Sequence, residues 1–141
     1  MKEHILNEAE IKELKDEYYA IREKIRNLER RTDEIDATIV CNSCNIVASR
    51  FVPLKYGDKI RVTYKEWVGF SGYKDMVLEG FFGNFYMEEK HPYTEDNGVG
   101  SVRLRTYQIK KDGTRSQRSE YVFAQNIVSI EKLEDSIYEN E

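Results

Sequence analysis

The stretch IKELKDEYYAIREKIRNLERRTDEIDATI, residues 11–39, decides how the first third of the chain folds. With Ile11 at heptad position a, an apolar seam runs through Ile11, Leu14, Tyr18, Ile21, Ile25, Leu28, Thr32, Ile35 and Ile39. Its steps alternate between three and four, the spacing of a coiled coil rather than of a broad globular face. The flanking g and e positions pair Glu10 with Lys15, Glu17 with Arg22, Lys24 with Glu29 and Arg31 with Asp36. In a parallel in-register pair each g faces the e′ five residues on in the partner, and all of these pairs are opposite in sign. Residues five apart on a single helix do not face each other, so the pattern selects a partner helix. Ile at a with Leu at d, as in Ile11/Leu14 and Ile25/Leu28, favours a dimer, whereas Ile21 and Ile35 at d lean toward a trimer. An antiparallel pair also matches some of the signs. The seam predicts self-association, with a homodimer as the preferred state; the alternative is a helix lying against its own globular part.

Working outward, the chain has no Gly or Pro between Ile5 and Val40 and is dominated by residues that favour or tolerate a helix. Residues 1–40 are therefore expected to form an oligomerisation helix, its seam alone spanning roughly 43 Å at 1.5 Å per residue. The stretch CNSCN at 41–45 is poor helix material because Asn and Ser compete for backbone hydrogen bonds. The helix is expected to end there, with 41–50 as a connector.

Beyond Pro53 the period changes to two. A turn at Tyr56-Gly57-Asp58 precedes a strand at 59–64, with Ile60, Val62 and Tyr64 on one face. Residues 67–74, WVGFSGYK, read as a long loop. A second strand at 76–88 is broken by Gly80 and Gly83, which suggests a bend or bulge. A further loop covers 89–100, a third strand 102–109, a hairpin turn 111–114, a fourth strand 119–124, a tight turn 125–126 and a last strand 127–133. This arrangement resembles a small five-stranded SH3-like β-barrel over residues 51–134, followed by an acidic tail at 135–141. The expected class is α+β, a long N-terminal coiled-coil helix followed by that barrel. The resemblance is architectural and carries no family motif, so it implies no site; barrels of this kind serve many functions.

Composition narrows the field. The chain has 141 residues and a net charge of −4, and it holds no 18-residue apolar run. Membrane insertion is therefore not expected. The start MKEHILNEAEIKE carries charges where a signal peptide needs apolar residues, and two cysteines are too few for a disulfide scaffold. A cytoplasmic protein is expected. Lys and Arg number 13 against 10 Asp and Glu over residues 48–128, while both ends are acidic. That excess is small for a dedicated nucleic-acid module.

Cys41 and Cys44 have the CxxC spacing of zinc sites, but zinc takes four ligands and the chain offers no second pair. Three readings stay open: reduced thiols in a connector, a zinc ion shared across a dimer, or interchain disulfides. Eleven of the seventeen aromatic residues lie between Phe51 and Tyr93. Among them Trp67, Phe70 and Tyr73 form the candidate partner-binding set, since aromatic anchors in a loop dock at low entropic cost. They can equally fold back to cap the barrel. Residues 102–118 contain Arg103, Arg105, Lys110, Lys111, Arg115 and Arg118 against Asp112 alone. Arg103 and Arg105 share a strand face suited to an acidic surface or a phosphate backbone, although a solvated face or a dock for the acidic tail fits too. His4 and His91 sit at no catalytic spacing, and no phosphate-binding glycine loop occurs.

The expected function is a non-enzymatic adaptor, a coiled-coil dimer presenting its barrels to a protein partner. Two alternatives are nucleic-acid binding through the basic hairpin and inhibition of a nucleic-acid enzyme by the acidic helix, for example by a protein of mobile-element origin. In the second, the off-seam Glu8, Glu13, Asp16 and Glu23 carry the charge.

Overall fold

The computed structural model describes residues 5–88, 96 and 98–134. Helix α1 spans Glu8–Ala48 and is followed by five strands: β1 Lys59–Trp67, β2 Tyr73–Tyr86, β3 Arg103–Ile109, β4 Arg115–Phe123 and β5 Ile127–Lys132. The chain divides into two compact units, residues 1–37 and 38–141. No helix among the described residues is long and apolar enough to cross a membrane.

In the first unit the helix begins on a reciprocal capping box. The Glu10 N–H donates to Asn7 Oδ1 at 2.8 Å, and the Asn7 N–H donates to Glu10 Oε1 at 3.3 Å. Two of the donors left orphaned at a helix start are thereby satisfied. Ion pairs Glu23–Arg26 at 2.9 Å and Arg31–Glu34 at 3.3 Å lie three residues apart along the surface, where such pairs add a few tenths of a kcal/mol. The apolar seam is uncovered as far as Ile35: Ile11, Leu14, Tyr18, Ile21, Ile25, Leu28 and Ile35 are all exposed, whereas Ile39 is half-buried and the flanking Asp36 is buried. The structure is a single chain and shows one helix, not a coiled coil.

The second unit begins inside that helix. Residues 41–48, expected to be a connector, continue α1 without a break. The propensity of Asn and Ser is overridden by packing: Ser43 turns its hydroxyl back onto the Ile39 carbonyl at 3.1 Å, and Val47, 1% exposed, joins Val102 and Ala124 in a core cluster. The helix closes with Ser49 Oγ donating to the Ile46 carbonyl at 2.6 Å.

The sheet is antiparallel throughout, in the order β4-β3-β2-β1-β5. Its core holds Ile60, Val62, Phe82, Leu104 and Ile130, with Phe51, Leu54, Leu78 and Phe85 packed against them. The expected barrel is corrected here: among the described residues β4 pairs with β3 alone and β5 with β1 alone, so no ladder of hydrogen bonds joins the two edges and the sheet stays open. β5 pairs with β1 only from Ile60 to Tyr64, so residues 65–67 of β1 have no β5 partner. A three-residue 3-10 turn, Ala124–Asn126, joins the two edge strands. A link so short spans at most about 14 Å between the flanking Cα atoms, so the sheet curls strongly without closing.

Other expectations are corrected in detail. The long loop at 67–74 is instead the tight end of the β1–β2 hairpin, with Trp67 in register with Tyr73. β4 begins at Arg115, four residues before the expected start. The bend expected at Gly83 is present as a register shift between Phe82 and Asn84. A Cβ at Gly83 would meet the Tyr107 ring at 2.9 Å and the Arg105 carbonyl oxygen at 3.0 Å, so only glycine lets β3 come this close. His4, most of the loop at 89–100 with His91, and the acidic tail at 135–141 lie outside the described residues.

Candidate functional site

The hairpin that carries the predicted aromatic set is built for display. Val68 donates its N–H to the Gly72 carbonyl at 2.9 Å, and Gly72 donates to Gly69 at 3.0 Å. Gly69 and Gly72 take φ of 75° and 74°, left-handed conformations that other residues adopt only at a steric cost. The turn therefore closes within five residues and throws Phe70 outward, leaving its side chain fully exposed. Beneath it Trp67 and Tyr73 meet edge to face, ring centroids 5.2 Å apart, and both remain more than 60% exposed. The expectation that these aromatics fold back as a cap is not met.

Trp67 also lines an open cleft of about 260 Å³ together with Tyr64, Lys65 and Glu66 on one side and Tyr121, Val122, Phe123 and Asn126 on the other. This cleft lies where the end of β1, paired with β2 but not with β5, approaches the last residues of β4. Burial, followed by the charges of Glu66 and Glu120, pushes the Tyr64 hydroxyl up from its ordinary range, so it stays a neutral hydrogen-bonding group there.

Across β4 the cleft leads to the two predicted arginines. β3 alternates strictly, with Leu104 and Thr106 buried and Arg103, Arg105 and Tyr107 on the opposite face. Register places Tyr86, Arg103 and Phe123 in one row and Asn84, Arg105 and Tyr121 in the next. The Arg103 guanidinium sits 4.5 Å from the Tyr121 ring centroid and 4.8 Å from that of Phe123. It also pairs with Glu88 at 2.9 Å. Desolvation works against its charge, but hydrogen bonding to Tyr86 and the Glu88 carboxylate outweigh it and hold its pKa above the usual arginine value. Arg105 stacks at 4.3 Å on Tyr86. Arg115 lies over Tyr56 and Tyr107 and donates to the Tyr56 hydroxyl.

The structure thus joins Trp67, Tyr73, Arg103 and Arg105 into one surface through Tyr121 and Phe123, which sequence reasoning missed. The turn alone does not give this pairing: Ile109 lies opposite Arg115, and a register shift between Tyr107 and Ile109 is what sets Arg103 opposite Phe123 and Arg105 opposite Tyr121.

Cys41 and Cys44 are set apart from this surface. They lie one turn apart on continuous helix; Cys41 is exposed and Cys44 packs beside Val47, Val102 and Ala124. Burial, and then Cys41, push the Cys44 thiol up, away from the thiolate that metal binding needs. Among the described residues no group of three His, Cys, Asp or Glu side chains is placed to hold a metal ion. On the first unit Glu8, Glu13, Asp16 and Glu23 are all exposed, with Glu23 engaged by Arg26.

No family model, curated protein or solved structure matches this chain.

Proposed function

We propose that the protein is a non-enzymatic adaptor of the cytoplasm: a coiled-coil homodimer, joined through the α1 seam, that presents the Trp67–Phe70–Tyr73 tip and its adjoining cleft to a protein partner. The observation that carries this reading is the tip itself. A fully exposed Phe beside an exposed Trp and Tyr is costly to leave in water, and a rigid hairpin loses little entropy when such anchors dock. The uncovered seam with opposite-sign flanks supports a second copy of the chain as the cover for α1. Two tips on one dimer bind a partner with paired or repeated sites by avidity.

The test compares wild type with Trp67→Ala/Phe70→Ala as immobilised baits. Proteins retained by wild type and lost with the variant are purified and titrated against both by calorimetry. At least tenfold weaker binding of one purified partner to the variant is expected, since hot-spot aromatics cost more than about 1.4 kcal/mol on truncation. If every purified candidate binds both forms equally, the tip is not the docking site.

A further inference from the structure

The two halves of the sheet treat arginine differently. On the β5-β1-β2 half, Arg61 is held between carboxylates: it donates to Glu79 at 2.8 Å and to Glu131 at 3.3 Å. Its charge is spent within the protein. On the β2-β3-β4 half, Arg105 and Arg115 have aromatic rings for neighbours and, among the described residues, no carboxylate within ion-pair distance. Arg103 alone has one, Glu88, at the end of the face. The other acidic residue nearby, Glu120, is in register with the inward-facing Thr106 and accepts from Gln108 at 2.8 Å. A ring under a guanidinium fixes its plane while leaving charge and in-plane N–H donors unspent. Such a group is preorganised for an anion from outside.

We infer that this outer face of β2, β3 and β4 binds single-stranded nucleic acid, with Arg105 as a phosphate contact and the half-exposed Tyr121 as a stacking platform. The interleaving of rings and guanidiniums favours this occupant over an acidic protein segment. Stretches of carboxylate need only the charges, whereas bases stack on aromatic rings and on arginine planes alike. Openness of the sheet helps, because Tyr121 and Phe123 border the cleft as well as the face. This site shares Tyr121 and Phe123 with the cleft beside the tip but uses none of Trp67, Phe70 and Tyr73, so its test does not depend on what docks on the tip.

The test uses the full chain and fluorescein-labelled single-stranded oligothymidylate and oligouridylate, read by anisotropy from low to physiological salt. For about three neutralised phosphates, log affinity is expected to fall against log salt with a slope of about −2. Arg105→Gln is expected to reduce that slope by about 0.7, and Tyr121→Ala to weaken binding about tenfold with the slope kept. Arg61→Ala, on the neutralised half, leaves both unchanged. Circular dichroism checks each fold, and Arg105→Met, which also removes the charge, replaces Arg105→Gln if the latter does not fold. Absence of binding by wild type at low salt overturns the inference, as does binding that folded Arg105 and Tyr121 variants leave intact. Tighter binding of an oligoglutamate than of either oligonucleotide also overturns it and gives the face to an acidic protein.

Discussion

Replacing Ile25 and Leu28 together by Gln tests the dimer where its cost is calculable. In the single chain these residues remain 39% and 67% exposed, so a partner helix has about one whole apolar side chain per protomer still to bury. Burying a side chain of this size is worth about 1.5–3 kcal/mol, or about 3–6 kcal/mol for the symmetric pair. At 1.4 kcal/mol per decade the variant should dissociate about 10²–10⁴ times more readily. Gln has nearly the helix propensity of Leu, so helix formation within one chain is not the property being altered. The assay is sedimentation equilibrium over a concentration series, with thermal unfolding of both forms by circular dichroism. The variant is expected to be monomeric where the wild type is dimeric, its sheet unit melting as before. A wild type that is monomeric at every concentration, or a variant that associates as strongly, refutes the seam argument. Loss of the sheet transition in the variant would also count against it, since these side chains would then be packing within the chain.

Three further outcomes check the fold. Val47→Ala removes a fully buried side chain from the cluster with Val102 and Ala124, and should cost about 1–3 kcal/mol in denaturant unfolding; an unchanged midpoint would mean that the last helical turns do not pack on the sheet. Gly83→Ala drives a methyl into the Tyr107 ring and the Arg105 carbonyl, and should cost about 1–3 kcal/mol, with a wild-type midpoint disproving the close approach. The raised pKa of Cys44 leaves it less thiolate than an ordinary thiol at any pH below its titration, so iodoacetamide should modify Cys41 first, as followed by peptide mass spectrometry. Equal rates at both sites would contradict the burial of Cys44.

What the sequence made legible follows physical range. The helix and its seam were readable because a period of three and four is written locally, and the Gly83 bend because a glycine in an apolar strand has few other reasons to be there. The end of the helix was not readable, since Val47, with Cys44 beside it, holds it by packing on Val102 and Ala124, more than fifty residues away in sequence. The hairpin at 68–72 was hidden by its two glycines, which look like loop residues but supply the positive φ of a tight turn. The open sheet was beyond any local pattern: it depends on which strands pair, β4 with β3 alone and β5 with β1 alone among the described residues. For the site, Trp67, Phe70 and Tyr73 could be picked out from their spacing, while Tyr86, Tyr121 and Phe123 enter only once strand register is known.

Within residues 39–48 the helix passes from the proposed seam to the sheet, and the spacing shows how. Continued past Ile39, the seam falls at Asn42 and Ile46, and Ile46 is still 39% exposed. Val47, buried, lies about a quarter turn from Ile46, but Ser43, also buried, lies only about 40° round from Ile39 at 100° per residue. The buried face therefore borders the seam at Ser43 and leaves it at Val47. Had the apolar stripe simply run on from Ile39, one surface would have had to serve both the sheet and the second copy, and docking would compete with dimerisation. Turning the packing face away from the seam at Val47 confines that competition to the turn around Ile39 and Ser43. This separation predicts that Val47→Ala lowers the stability of the sheet unit without changing the dimer dissociation constant. A change in both would mean that the two faces are coupled.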